Sequence, residues 1–320
     1  MDKHQEILKT LSCNIRAVLS RCAVDFSYLQ EVRLRVNQPL MIVYDNHTYF
    51  ITKEGKLCDT PEDAFIVNQA ELRETMEYIS NYSIYAYEEE IRQGYITIQG
   101  GHRVGVAGKA VMDGQQVRNL KYISFLNIRL AHEVKGCASN LLRYIHSKGQ
   151  LCDTLIISPP GAGKTTLLRD LIRQLSNGAL SGHSYTVGVV DERSEIGACY
   201  LGVPQNDLGI QTDILDCCPK AKGMMMLIRS MTPQVLAVDE IGSKEDLEAM
   251  KYAITCGCHL IATVHGENID EIRNKPLLGK FVREKLFQRY VILDGQEKAG
   301  TIKSIYDERG SLISGGGCVC

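Results

Sequence analysis

The stretch IISPPGAGKTTLLRD, residues 156–170, has the residue types and spacing of a phosphate-binding loop. Backbone N–H groups of Gly161, Gly163, Lys164 and Thr165, with Ala162 between the glycines, can converge on phosphate oxygens at a helix N-terminus. Lys164 would reach the β- and γ-phosphates of ATP, and the Thr165 hydroxyl would ligate Mg2+. Thr166 would add a hydroxyl near the α-phosphate. Ser158 stands where the G-x-x-x-x-G-K-[ST] pattern has its first glycine. It precedes Pro159, so its backbone is pushed to the extended region, which serine adopts without strain. Neither Pro159 nor Pro160 carries an N–H. Ser158 therefore ends the strand at the rim of the nucleotide stretch, and the donors begin at Gly161.

Three further strand ends carry polar chemistry. QVLAVDE, 234–240, delivers Asp239 and Glu240 after an apolar strand. Asp239 would orient the magnesium shell and Glu240 would polarise an attacking water. VVDERSE places Asp191, Glu192 and Glu195 after another strand, and HLIATVHGEN places Thr263 and His265 after a third. In an open parallel sheet, ligands collect at the carboxyl ends of the strands, so all four ends can converge. A solvated acidic turn is the competing reading for Glu192, and a packing histidine for His265.

The elements that must hold these ends are legible from residue 135 onward. TLIIS, TVGVVD, QVLAVDE and CHLIATVH are short apolar strands alternating with helical stretches, which predicts a three-layer α/β sheet of parallel strands. The helix TLLRDLIRQL follows the loop directly. Residues 202–222 read as a long acidic loop, either an interaction segment or disordered, and the Met224–Met226 run opens a core helix.

Residues 1–135 read as a smaller mixed α+β domain. Ile7, Leu8, Leu11, Ile15, Val18 and Leu19 share one helical face, predicting a single amphipathic helix. EVRLRV alternates Val32, Leu34 and Val36 with polar neighbours, and two strands flank the turn at Asp45-Asn46. Asn68 and Glu71 make a capping box for a second helix. YITIQ and HRVGVAGKAV form hairpins around Gly100-Gly101 and Asp113-Gly114. Residues 313–320, within SGGGCVC, read as a flexible tail following a P-loop domain over 136–312.

Composition narrows the function classes. The 320 residues are 44% hydrophobic with a net charge of −2, which argues against a broad basic face for nucleic acid. No apolar run approaches a membrane span, and MDKHQEILKTL lacks signal-peptide organisation, so a cytoplasmic protein is expected. The 12 cysteines lack paired C-x-x-C spacing and read as reduced, mostly buried thiols. Asn274-Lys275-Pro276-Leu277 breaks the guanine-reading N-K-x-D pattern, which favours ATP over GTP.

The order of these motifs resembles the secretion-ATPase superfamily, the hexameric motors of type II and type IV secretion and pilus systems. Glu192, Arg229, Glu240 and His265 fall where those motors carry an acidic box, an arginine before the Walker B strand, the Walker B glutamate and a histidine box. Two departures stand out. Ser158 replaces the first Walker A glycine, and Asp239 stands where those motors often have glycine. EVRLRVNQPL, GGHRVGVAGKAV, FLNIRLAHE and GVPQNDLGIQTDILDCCPKAKGM extend a closer resemblance, to the stage III sporulation protein AA family, over nearly the whole chain. That resemblance implies an ATPase in the mother-cell cytoplasm that assembles as a hexameric ring and serves membrane proteins of a sporulation channel between mother cell and forespore. It also makes Arg103 and Arg129 candidates for completing a neighbouring subunit's site, ordinary surface arginines being the alternative. A nucleic-acid-stimulated ATPase and a nucleotide-gated scaffold with little turnover are the rival functions. The first lacks an aromatic and basic groove, and Glu240 argues against the second.

Overall fold

The computed structural model describes residues 3–179, 182–295 and 298–315. The chain divides into two units, Met1–His132 and Glu133–Cys320. The boundary falls three residues before the expected 135/136 because Glu133 and Lys135 are both tied to Asp207 of the second unit. The Glu133 carboxylate accepts the Asp207 N–H at 2.9 Å, and Lys135 Nζ lies 2.7 Å from the Asp207 carboxylate.

The first unit is built on an antiparallel seven-stranded sheet. Its order is Leu57–Cys58, His47–Ile51, Met41–Tyr44, Leu29–Arg35, Gln116–Arg129, His102–Asp113, Tyr95–Ile98. The period-two pattern decides which face is buried. Val32 pairs with Ile42 and Ile128, Leu34 pairs with Leu126, and Ile128 pairs with Val104, all buried on one face. The helices Gln69–Ile79 and Glu88–Arg92 pack on this sheet. Asn68 and Glu71 form the expected capping box. Asp45 and Asn46, at φ 48° and 63°, make the expected tight turn.

The single opening helix does not form. Two helices, Lys3–Thr10 and Cys13–Leu19, break at Ser12, whose N–H is given to the Thr75 hydroxyl at 3.0 Å. Ser12 is the N-cap residue of the second helix and is fully buried. The apolar face survives the break, with Ile7, Leu11, Ile15, Val18 and Leu19 buried.

The second unit holds an eight-stranded sheet ordered Thr212–Asp216, Val187–Asp191, Val235–Val238, His259–His265, Thr154–Ser158, Arg289–Leu293, Ile302–Asp307, Leu312–Gly315. The first six are parallel and the last two extend the sheet antiparallel. One apolar core lies under the helix Lys164–Ser176; the other lies under Lys220–Ser230, Lys244–Thr255 and Leu278–Arg283, which makes three layers.

Segment 202–222 is not a single loop. It supplies the edge strand Thr212–Asp216 and the first residues of the helix Lys220–Ser230. Its aspartates hid a strand whose ladder to Val187–Asp191 is continuous over five residue pairs. Within the helix, Met224 is fully buried and Met226 is 55% exposed. The tail expected from 313 begins inside the strand Leu312–Gly315, which pairs with Ile302–Asp307, and 316–320 lie outside the described residues. Thiols are less buried than expected. Cys152, Cys199 and Cys258 are buried, but Cys13, Cys217 and Cys256 are exposed.

Candidate nucleotide site

Strand order decides what meets the loop. The Thr154–Ser158 strand pairs with His259–His265, which in turn pairs with Val235–Val238. Thr263 and His265 are thus interposed between the loop and the acidic pair Asp239-Glu240. Ser158 closes its strand fully buried, with its hydroxyl donating to the Pro159 carbonyl at 3.0 Å. Its carbonyl accepts the Gly266 N–H at 3.1 Å. It therefore supports the rim and takes no part in the turn.

The turn needs its glycines for two different reasons. Gly161 and Gly163 lie in the left-handed region, at φ 79° and 85°. At Gly163 a Cβ would also stand 2.4 Å from the backbone nitrogen of Gly300. That nitrogen donates to the Ala162 carbonyl at 2.8 Å, so a segment beyond the sixth parallel strand clamps the loop from behind. Gly163 is the N-cap of the helix that starts at Lys164, and this places Thr165 and the half-buried Thr166 in the first turn.

Side chains then converge. Thr165 Oγ1 donates to Asp239 Oδ2 at 2.6 Å, and the Thr263 hydroxyl donates to the other oxygen of Asp239. Lys164 Nζ lies 2.6 Å from Glu240 Oε1, and His265 Nε2 lies 2.9 Å from the same oxygen. Glu240 is itself in the left-handed region at φ 53°, a conformation that costs energy in a non-glycine residue. Two bonds hold it there: its N–H donates to Thr263 Oγ1 and the Ile241 N–H to the Thr263 carbonyl, both at 2.9 Å. Burial works to raise the Glu240 pKa, but hydrogen bonding to Lys164 and the charges of Lys164 and His265 hold it below the ordinary carboxylate range.

The strand end after Val187–Asp191 divides its acids. Asp191 is buried and accepts N–H bonds from Glu195, Ile196 and Gly197 at 2.8 to 2.9 Å. Burial pushes its pKa up to about 6 against those bonds, with Asp216, its partner on the edge strand, adding negative charge. Asp191 is thus a loop-fixing residue. Glu192 is exposed and forms an ion pair with Lys220, at the start of the helix Lys220–Ser230. A cavity of about 200 Å³ opens among Asp191, Glu192, Arg193, Glu195, Lys220, Asp239 and Glu240.

The three candidate arginines lie on other elements than the four strand ends. Arg229 is exposed in the last turn of the helix Lys220–Ser230, whose first turn carries Lys220. A rise of about 1.5 Å per residue puts the two ends more than a dozen ångströms apart. Arg103 and Arg129 lie in the first unit, directly paired across two strands. The Arg103 guanidinium sits 3.5 Å from the Tyr95 ring centroid, and Arg129 Nε lies 3.2 Å from Glu31.

Sequence reasoning missed Arg193, Lys220 and Arg169. Arg193 Nη1 lies 3.2 Å from Glu240 Oε2. Arg169, on the helix after the loop, donates to the carbonyls of Ile196 and Glu195 at 3.0 and 2.8 Å. Arg193 was visible within DERSE. Nothing local marked Lys220, since it reaches the site only because its helix begins at the end of the edge strand.

The fold and the four strand ends define a P-loop NTPase core, preceded along the chain by an antiparallel N-terminal sheet. Comparable folds are seen in the ATPase DotB of Legionella pneumophila and the pilus retraction motor PilT with bound ADP. For DotB the TM-score is 0.54 at 15% identity, covering 83% of this chain and 72% of that one. For PilT it is 0.59 at 15% identity, covering 98% and 84%. The chain belongs to the family Sporulation stage III, protein AA, whose profile matches residues 1–313. It is 42% identical over 286 residues to stage III sporulation protein AA of Bacillus subtilis, covering 89% of both chains. It is also 30% identical over 165 residues to the protein SEEDLING PLASTID DEVELOPMENT 1 of Arabidopsis thaliana, which spans 51% of this chain and 23% of that protein.

Proposed function

We propose that this chain hydrolyses ATP and, as a ring of copies, drives membrane proteins of a channel complex during sporulation. The observation that carries this reading is the Glu240 carboxylate, set between the loop lysine and His265 at the ends of adjacent strands. A carboxylate kept ionised beside the phosphate cradle is placed to take a proton from an attacking water.

The donor set suits Mg2+. Thr165 Oγ1 and the Asp239 carboxylate are hard oxygen donors in direct contact. Among the described residues no group of three or more His, Cys, Asp or Glu side chains is arranged to hold a metal. Mg2+ at a site of this kind takes phosphates and water as its remaining ligands. Thr165 and Asp239 would hold it, and it would neutralise charge on the phosphates. Lys164 would bind the β- and γ-phosphates, and Ser158, Ala162 and Thr166 would shape the rim, the clamp and the first helical turn.

Arg103, Arg129 and Arg229 are the arginines that the family resemblance offers for completing a neighbouring copy's site. An arginine supplied in trans is worth about 10³ to 10⁵ in rate in well-studied phosphoryl transfer. Glu192, held by Lys220, fits a role in lining the site. The family context supports action in the mother-cell cytoplasm, and among the described residues no helix is long and apolar enough to cross a membrane.

The test is phosphate release by the purified full chain, with its mass in solution measured with and without ATP and Mg2+. Wild type is expected to turn over and to assemble, while Lys164→Ala loses both nucleotide affinity and turnover. Wild-type affinity and turnover in Lys164→Ala would sink the assignment.

A further inference from the structure

The three basic side chains around Glu240 do not share it evenly. Lys164 and His265 both meet Oε1, whereas Arg193 alone among them meets Oε2, at 3.2 Å. Rotation about the last bond of a glutamate side chain is broad and nearly two-fold, so one anchored oxygen does not set the plane of the carboxylate. Anchoring both does.

Arg193 is exposed, yet the loop that presents it is held at several points. The buried Asp191 carboxylate gathers the N–H groups of Glu195, Ile196 and Gly197. Arg169 binds the carbonyls of Glu195 and Ile196, and the Ser194 hydroxyl accepts the Cys199 N–H at 3.1 Å. Ser194 itself adopts φ 52°, a strained conformation kept by these bonds. Around the same cavity Glu192 is paired with Lys220 and Asp239 is bound by Thr165 and Thr263, while the Glu240 carboxylate meets Arg193.

We infer that Arg193 is the positioning residue that fixes the plane of the Glu240 carboxylate, so that Oε1 is the oxygen presented to the reacting water. The inference rests on the reading of Glu240 as the base. The acidic loop after the second parallel strand then acts on hydrolysis through its cation, a role the acid-box resemblance does not suggest. Because Arg193 meets the oxygen of the base far from Lys164, it governs turnover and not nucleotide affinity.

The experiment uses the full chain with Arg193→Ala, Arg193→Lys, Glu240→Gln and the Arg193→Ala/Glu240→Gln pair. Turnover is measured with ATP and Mg2+, affinity with a fluorescent non-hydrolysable ATP analogue. Arg193→Ala is expected to lower kcat about 10- to 100-fold, within the range general-base alignment commands. Its analogue Kd stays within about two-fold of wild type, and Arg193→Lys recovers part of the rate. On the Glu240→Gln background the arginine change costs nothing further, because residues that act as one unit are non-additive. The inference is overturned by an unchanged kcat in Arg193→Ala, by losses that multiply in the double variant, or by an analogue Kd that weakens as much as kcat falls. A Glu240→Gln chain that turns over like wild type removes the base assignment and this inference together. A slow Glu240→Gln chain beside a wild-type-like Arg193→Ala removes this inference alone.

Discussion

The two sheets of this chain place their charge in opposite ways. In the antiparallel sheet the charges stand on a face: Glu31, Arg129 and Arg103 are consecutive cross-strand partners, opposite the face that buries Val32, Leu34 and Ile128. In the parallel sheet the central strands are buried throughout, as in Thr154–Ser158, Val187–Asp191 and Val235–Val238. Charge is then confined to strand ends, where Lys164, Asp239, Glu240 and Asp191 meet. An antiparallel sheet can leave one face to solvent, whereas a parallel sheet is covered on both by its crossover helices. The lesson is that sheet type decides whether a charged residue is part of a surface or part of a site.

The largest expected effect is at a strand end. Glu240→Gln should lower kcat about 10²- to 10⁴-fold while leaving analogue affinity near wild type, the pattern of a group used only in the reaction. Equal turnover in the two proteins would reduce the strand ends to another charged surface.

A stability measurement sharpens the same contrast. Asp191 is 2% exposed, with its pKa raised to about 6, against roughly 3.9 in an unfolded chain. Between those values the folded state binds more protons than the unfolded one, so stability falls as pH rises from about 4 to 6. The loss is on the order of 2 to 3 kcal/mol, and the raised pKa of Asp216 acts in the same direction. Asp191→Asn should flatten that slope in urea unfolding at pH 4 and pH 7. An unchanged slope would show that Asp191 is not the buried acid responsible.

Two glycines compare the regions directly. Gly163→Ala combines φ 85° with a 2.4 Å approach to the Gly300 nitrogen and should cost roughly 1 to 3 kcal/mol together with nucleotide affinity. Gly114→Ala, in the hairpin turn at φ 59° with nothing within 4 Å of a new Cβ, should cost about 1 kcal/mol at most. Melting temperatures of the two variants check the order.

The smallest folding effect is expected on the open face. Arg129 is 63% exposed in its pair with Glu31, so Arg129→Ala should change stability by no more than about 1 kcal/mol. If Arg129 and Arg103 complete a neighbour's site, their alanine variants lose turnover only in assembled protein. Normal hydrolysis by both in an assembled preparation would return these arginines to the surface.

Much of this contrast was legible in residue order. The alternation in EVRLRV, the Asn68–Glu71 capping box and the apolar runs ending in acids each reflect short-range physics. Three features were not legible. The edge strand Thr212–Asp216 reads as an acidic loop because a half-buried edge strand tolerates aspartates. The opening helix breaks because Ser12 finds Thr75, 63 residues away. Arg229, placed beside the acidic strand by its sequence position, stands at the far end of its helix from Lys220.

By itself the sequence determined the loop chemistry. Ser158 before two prolines is tolerated because its backbone needs are extended and local, while Gly161 and Gly163 serve a left-handed turn that any chain must satisfy there. Only the tertiary structure decided which groups surround Glu240. Interposing His259–His265 between the loop strand and Val235–Val238 places Thr263 and His265 beside it, and the packed acidic loop and helix start bring Arg193 and Lys220. Those neighbours come from distant segments, and their convergence depends on strand order, which no local spacing encodes.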